Sequence, residues 1–597
     1  MASHIDLAEY LFRRIHQIGV RAVHGVPGDY NLTALDYVEP AGLAWVGNAN
    51  ELNAGYAADG YSRIKGASAL VTAFGVGELS AINAIAGAYS EMAPIIHVVG
   101  TTPTNIQDAG FCMHHSLGDG NFRVFAEMAA KVTVAQANLR DPNTATAEID
   151  RCLQACVLHS RPVYIELPTN MVKARVSAAD LEKPIDLSIP INDEGFEDTE
   201  VELILSKIYA SKQPFIVVDG FTSRYGISKE ADELVRVTGF PTSTTPFGKS
   251  IVNETYPNFH GIYAGLAGNQ IYMPWARRCD LVLRLGPLNS DINTYGFSTI
   301  PDPKAAITFD RDFVEIEGTK YHNLHVKSLL RKILSRLDKS KLPTCEPDLD
   351  LGDLRAQLKA LPSPGQNDMI EQATFWQRVS TFLRSGDIVL TETGTPSLGG
   401  RDLVLPANTT LINSSIWSSI GYMLGACAGA ALAQREMMAE GTRPQGRTIL
   451  FEGDGSLQMT AQVFSDIIRN RLDVVIFVMN NDGYTTERWV HGMKAGYNDI
   501  QPWRYLEAPN YFGAPKDDPE YPVFTKRAET WGELNAILAE PKLQQGKGLC
   551  IVEVIMTKED APETLKKLVE STSRRNSGEM ERPKATNVEE KVMKVAG

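Results

Sequence analysis

The run from Phe451 to Glu487, FEGDGSLQMTAQVFSDIIRNRLDVVIFVMNNDGYTTE, restricts the fold more than any other part of the chain. It reads as strand, turn, helix, strand, turn. Gly453 and Gly455 allow a tight backbone, Asp454 sets a carboxylate at the strand's end, and a helix starts immediately after it. Two strands separated by a helix are parallel neighbours, because a parallel pair needs a crossover connection.

The same alternation fills the rest of the 597 residues, a length suited to about three α/β units. The first, residues 1–185, carries candidate strands VRAVHGV, ASALVTAF, PIIHVVG and PVYIEL, with ELNAGYAADGYSRI and GELSAINAIAGAYSE as helices. A Pro- and acid-rich linker over 183–198 leads into a second unit, 198–340, with strands PFIVVDG, LVLRLG and AAITFD. Residues 342–368 again mix Pro, Gly and acid and read as a connector. The third unit, 369–565, holds GDIVLTETG, RTILFEGDG and DVVIFVMNN as strands and SIGYMLGACAGAALAQR as a helix; from 570 to 597 periodicity is lost and a disordered tail is expected. The predicted class is α/β with three doubly wound parallel sheets, the first and third alike in style.

A balance of 58 basic against 72 acidic residues gives no electrostatic footprint for nucleic acid or an anionic membrane. Leu7, Leu11, Ile15 and Ile18 sit at helical spacing among acids, unlike a signal peptide, and the apolar stretch Ile420–Ala433 is shorter than the ~20 residues of a membrane span. The seven cysteines are scattered, without zinc-site spacing, and read as reduced thiols of a cytoplasmic protein.

A helix N-terminus with free N–H groups is where a diphosphate binds. Asn480, Asn481 and Gly483 end the second strand and can set an amide oxygen and a carbonyl beside Asp454, hard ligands that suit Mg²⁺ completed by phosphate and water. Alone, GDG describes many plain turns. With NNDGYT following, Asn481 being 27 positions after Asp454, it resembles the pattern of the thiamine-diphosphate enzymes. The resemblance implies their fold, thiamine diphosphate and Mg²⁺ as cofactors, Asp454, Asn481 and the Gly483 carbonyl on the metal, and Gly455 and Ser456 on the diphosphate. Tyr484, Thr485 and Thr486 continue the cofactor-binding turn. Glu51 by itself reads as a helix-favouring surface acid. Under the resemblance it bonds the aminopyrimidine and favours the tautomer that removes the thiazolium C2 proton. Thr395 and the run Trp417-Ser418-Ser419-Ile420 complete the anchoring. Under the resemblance Ile420 props the bent cofactor, although an ordinary core role is also physically compatible. Ser418 stands where close relatives usually have Gly, a tolerable change if the backbone carbonyl does the binding.

Asp29 in HGVPGDYN, His114 and His115 in CMHHSLGDG, and Glu487 in NNDGYTTE form a sufficient kit of acids and bases for protonating a carbanion. Singly, Asp29 reads as a turn residue and the histidines as loop residues. Jointly, GDYN, the Glu of NELNAGYAADGY, HH-LG-G-F and NNDGYT-E resemble the signature of the fungal pyruvate decarboxylase type of 2-oxo acid decarboxylase, over roughly residues 5–565. This implies conversion of pyruvate to acetaldehyde and CO₂ through a thiamine-diphosphate enamine. Asp29 and Glu487 would manage protons, and His114 and His115 would position and release the aldehyde. It also implies a homodimer or homotetramer whose site takes Asp29, Glu51 and the histidines from one chain and the metal end from its neighbour.

Four pocket positions depart from that pattern: Ile292 for a Phe, Ser397 for an Ala, Leu398 for a Phe and Thr486 for an Ile. Lost volume and apolar surface predict a roomier, more polar pocket. Larger or aromatic 2-oxo acids, or acyloin-forming carboligation, stay open beside pyruvate. A cofactor-binding protein recruited for regulation without turnover is the remaining alternative; it predicts damage at Glu51, Asp454 or the histidine pair, and the sequence shows none. Phe221 and Thr222 stand where the family has a cysteine tied to activation by substrate, and Val157 where it has a Tyr, although Arg224 is kept. Cysteine-dependent activation is expected to be missing.

Overall fold

The computed structural model describes residues 4–268, 271–345, 347, 351–578 and 589–591. In the first sheet the strands run, along the chain, Ala22–Gly25, Ala44–Gly47, Ser68–Ala73, Ile95–Thr101, Gln136–Asn138 and Val163–Pro168. They lie side by side in the order second, first, third, fourth, sixth, fifth, all parallel. The sheet of the third unit comprises Ile388–Thr391, Thr410–Ile412, Thr448–Gly453, Val474–Asn480, Val523–Ala528 and Leu549–Ile555. It is also wholly parallel and repeats the same order. The two sheets that looked alike in sequence share one topology. Their inner strands, such as the VVIFVM of Val474–Asn480, are buried on both faces, as strands sandwiched between helices must be.

The central sheet refines the expectation of purely parallel strands. Phe259–Ile262, Thr242–Thr244, Pro214–Val218, Leu281–Leu285 and Ala306–Phe309 are parallel, but Phe313–Ile316 runs antiparallel to Ala306–Phe309 and to Thr319–His322. The connections on either side of Phe313–Ile316 are two or three residues long, too short for a crossover helix, so the chain can only double back. Glu589–Lys591 adds a strand beside Thr319–His322.

Helical periodicity at the N-terminus forms Leu7–Gln17, with Leu7, Leu11 and Ile15 in the core and Ile18 capping the end. The first and third units are joined by two helices, Glu51–Lys65 and Tyr422–Ala439, packed backbone to backbone. A Cβ at Gly60 would fall 2.1 Å from the carbonyl oxygen of Ala426, and one at Gly429 would fall 1.8 Å from that of Ala57. Only glycine permits that approach.

Two connecting segments are more structured than expected. The second unit's first helix starts at Glu194, inside the expected linker, and the connector contains a helix, Leu354–Ala360. The expectation of disorder from 570 is corrected: a helix runs from Glu563 to Asn576. It persists because Leu565, Leu568 and Val569 pack as one stripe against Leu398, Ala561 and Trp489. Residues 579–588 and 592–597 of the expected tail lie outside the described residues. Among the described residues no helix is long and apolar enough to cross a membrane.

Candidate functional site

In the third sheet the strand order reverses between Ile388–Thr391 and Thr448–Gly453, and ligands of open α/β sheets bind outside the strand ends at such a switch point. A cavity of about 870 Å³ opens there. Its lining draws on the ends of three adjacent strands: Thr393–Leu398 after the first, Gly453–Ser456 after the second, Asn481 and Gly483–Glu487 after the third. Ser418, Ile420 and Ile292 close one side; Leu565, Leu568, Val569, Thr572 and Ser573 of the last helix close another.

Three oxygens converge at its polar end. As placed, the amide oxygen of Asn481 lies 3.2 Å from Asp454 Oδ1 and 2.8 Å from the carbonyl oxygen of Gly483, with its NH₂ turned to the Thr485 hydroxyl. Without a cation, turning the amide over would satisfy all three contacts. With one, the present orientation is required: adjacent ligands of an octahedral Mg²⁺, each at 2.0–2.1 Å, stand about 3 Å apart. Backbone N–H groups of Gly455 and Gly483 donate to the two Asp454 oxygens at 2.8 and 3.0 Å. Burial still pushes this carboxyl up to about 7, as expected of an acid arranged for a positive partner. Tyr484 packs its ring on Gly455, where a side chain would collide at 2.6 Å. Thr485 donates to the Lys558 carbonyl, so its hydroxyl braces the turn.

Behind this cradle, Glu392 and Glu452 are fully buried at neighbouring strand ends. Glu392 accepts from the N–H groups of Thr393 and Met423 at 2.7 and 2.8 Å, and burial raises it to about 7. Glu452 is pushed well above the ordinary carboxylate range by burial and by the charge of Glu392. The two carboxyls therefore hold a proton between them.

Ser418 lines the cavity in a left-handed conformation, φ 52°, which explains why glycine suits this position. Ile420 is half-buried at the cavity wall, away from the core clusters. Ser419 faces elsewhere: its hydroxyl pairs with Tyr56 at 2.8 Å and receives Asn83. Ile292, Ser397, Leu398 and Thr486 all line the cavity, and Glu487 is exposed at its mouth.

The remaining expected residues gather at the corresponding edge of the first sheet. His114 Nε2 and Asp29 Oδ2 are 2.5 Å apart, and His115 Nε2 is 4.0 Å from Asp29 Oδ1. Tyr30 stacks on His114 at 5.0 Å and donates to its carbonyl. Ligand atoms of Asp29, His114 and His115 lie within 4.8 Å of one another, but the direct carboxylate–imidazole contact is that of an acid–base pair. Glu51 begins its helix with its carboxylate over Gly77, where a Cβ would come within 3.1 Å. Beneath them Glu78 accepts from Gly75 N–H and from the Tyr164 hydroxyl, and burial raises it to about 7. None of Asp29, Glu51, His114 or His115 lines the 870 Å³ cavity, so the expected site residues form two separate groups in the chain.

Sequence reasoning missed Glu392, Glu452, Arg401 and the last helix. Only the last left a signal, the helical spacing of Leu565, Leu568, Val569 and Thr572.

Three family models match the chain: Thiamine pyrophosphate enzyme, N-terminal TPP binding domain, over residues 5–121, the central domain over 201–337, and the C-terminal TPP binding domain over 394–554. A pyruvate decarboxylase of Aspergillus parasiticus is 45% identical over 94% of this chain and 96% of its own length. One from Candida glabrata is 41% identical over 94% and 97%, and pyruvate decarboxylase isozyme 3 of Saccharomyces cerevisiae 39% over 96% and 100%. The chain therefore belongs to the thiamine pyrophosphate enzymes, and within them to the pyruvate decarboxylase family.

Proposed function

We propose that the chain decarboxylates a 2-oxo acid, pyruvate in the first instance, to an aldehyde and CO₂, using thiamine diphosphate and Mg²⁺ at a site completed by a second copy. The observation that carries this reading is the convergence of Asp454, Asn481 and the Gly483 carbonyl as three mutually close oxygens at the polar end of a cavity large enough for cofactor and substrate. Those oxygens would hold Mg²⁺, and Gly455 and Ser456 would meet the diphosphate. When bound, thiamine diphosphate supplies a nucleophilic carbon and an electron sink.

The chain's own residues do the rest. Glu51 holds a carboxylate where the aminopyrimidine would lie and favours its proton-accepting form. Ile420 supports the ring from the cavity wall. Asp29 and Glu487 deliver and remove protons at the carbon that loses CO₂, while His114, hydrogen-bonded to Asp29, and His115 orient the oxygen of the departing aldehyde. The last helix keeps water from the reacting end. The two separate groups support a homodimer as the least active unit, with a tetramer as its doubling. All seven cysteines are unpaired, which supports the cytoplasm as its compartment.

A second reading has its own support: Ile292, Ser397, Leu398 and Thr486 all face the cavity, so larger 2-oxo acids or acyloin formation fit the same machinery. The test is aldehyde release from pyruvate, 2-oxobutanoate, 4-methyl-2-oxopentanoate and phenylpyruvate, followed by mixing two inactive variants, E51Q and D454A. If the site is shared, random reassembly restores about a quarter of wild-type activity, because half the dimers carry one intact site. No recovery from exchanging subunits would place the whole site within one chain.

A further inference from the structure

Among the described residues, Ile292 is the one member of the cavity lining that precedes Thr393; every other belongs to the third unit or to the last helix. It stands on the loop that follows strand Leu281–Leu285 of the central unit, so its depth in the cavity is set across a boundary between units. What holds that loop is buried. Asn293 is fully buried, and both ends of its amide are used. Its Oδ1 accepts from the Phe247 N–H at 2.9 Å, and its Nδ2 donates to the Leu288 carbonyl at 2.8 Å and to the Asp219 carboxylate at 2.9 Å. Asp219, buried at the end of strand Pro214–Val218, also accepts from the N–H groups of Gly220 and Leu288 at 2.6 and 2.8 Å and from the Thr245 hydroxyl at 2.6 Å. A buried carboxylate is stable only among donors, so Asp219 and Asn293 fix each other and pin the loop to the ends of neighbouring strands. Toward the third unit, the Ser290 hydroxyl accepts from the Asn293 N–H at 3.1 Å and donates to the Ser415 carbonyl. Three positions beyond Ile292, the ring of Tyr295 lies beneath the guanidinium of Arg401, 4.8 Å from the ring centroid.

We propose that Asn293 is a positioning residue for substrate selection: held by Asp219, it fixes how far Ile292 stands into the cavity and so limits the size of 2-oxo acid side chain that the site accepts. The inference rests on the decarboxylase reading and adds to it what sets the size limit. Asn293 touches no reacting group. It acts because Ile292 is its chain neighbour and cannot shift without it. Removing the amide frees the Phe247 N–H and the Leu288 carbonyl and takes one donor from Asp219, so the loop between Leu288 and Asn293 loses its anchor on the central sheet. Ile292 can then yield to a longer side chain, while pyruvate, too small to press on that wall, gains nothing. Room for one more methylene is worth about tenfold or more in discrimination.

The experiment measures kcat and KM of the holoenzyme for pyruvate and for 4-methyl-2-oxopentanoate in wild type, N293A and S290A, each with Ile292 and with I292A. N293A should raise the ratio of 4-methyl-2-oxopentanoate to pyruvate kcat/KM by about tenfold, chiefly through a lower KM for the larger acid. S290A cuts the tie to Ser415 at a half-buried position and should move the ratio the same way by about threefold. It decides the question if N293A does not fold. With I292A in place, either substitution should change the ratio by less than about twofold, because the residue through which it acts is already cut back. An unchanged or lower ratio overturns the proposal. So does a parallel fall in kcat/KM for both acids, which assigns Asn293 to folding alone, and so does a rise undiminished by I292A, which places its effect elsewhere in the wall. Turnover of no 2-oxo acid by wild type overturns the proposal and the decarboxylase reading together, whereas turnover with a ratio that the variants leave unmoved overturns the proposal only.

Discussion

Replacing Gly75 by alanine tests whether backbone geometry outside the reacting groups sets the position of the histidine pair. Gly75 has φ 65° and ψ −93°, a region that L-residues adopt at a cost of about 1–3 kcal/mol. An added Cβ would stand 2.0 Å from the carbonyl oxygen of His115. Ordinary contact is near 3.5 Å, so one backbone must yield by more than about 1 Å. Gly75 is the less free of the two, because its N–H is held at 2.8 Å by buried Glu78. His115, itself at φ 67° on a loop, is the part that moves, and it carries the imidazoles away from Asp29. A misplacement of about 1 Å at a reacting group costs about 100-fold. G75A should therefore lose about two orders of magnitude in kcat/KM for pyruvate and lower the apparent melting midpoint by a few degrees. Gly19 is the control: its φ is 100°, but nothing lies within 4 Å of its would-be Cβ. G19A should lose stability alone. A G75A enzyme within about threefold of wild type in kcat/KM, or a G19A enzyme equally impaired, would refute the reasoning.

Stripping divalent cations with EDTA should release thiamine diphosphate and abolish activity, with recovery only when Mg²⁺ and cofactor return together; recovery with cofactor alone would remove the metal from the three oxygens. Glu78 predicts a pH dependence of stability. Its carboxyl is raised by burial from an ordinary 4.5 to about 7, so its contribution is intact below about 4.5 and lost as pH rises through about 7, a difference on the order of 3 kcal/mol. E78Q should accordingly gain on wild type in urea midpoint between about pH 5 and 8; a constant difference across that range would show that Glu78 ionises freely. Refilling the wall with I292F and L398F should shift the kcat/KM ratio of pyruvate to phenylpyruvate about tenfold toward pyruvate, and an unchanged ratio would mean that these residues do not bound the side-chain pocket.

The parts of this site legible in the sequence are those whose geometry is local. Asp454 and Asn481 end two strands that pair directly, Gly453 opposite Met479, so one continuous run fixes their separation once the strand–helix–strand pattern is read. Asp29, Glu51 and the histidines follow the first, second and fourth strands of one sheet, and parallel strands deliver all such loops to the same edge. What escaped the sequence depends on segments far apart in the chain. Phe313–Ile316 is four residues long, and its direction follows from turns that a scan for crossover helices passes over. The last helix looks polar because Glu563, Lys566, Lys567 and Glu570 outnumber its apolar stripe; Leu398 and Trp489, over 70 residues away, give that stripe something to cover. Glu392 and Glu452 read as the polar ends of strands, and only their adjacency in the sheet turns two ordinary acids into a pair that cannot both ionise. Arg401 is the extreme case. In sequence it is one of 58 basic residues, and nothing nearby distinguishes it from a solvated cation. Its burial comes from the central unit laying Tyr295 beneath it and the C-terminal unit closing the cavity above.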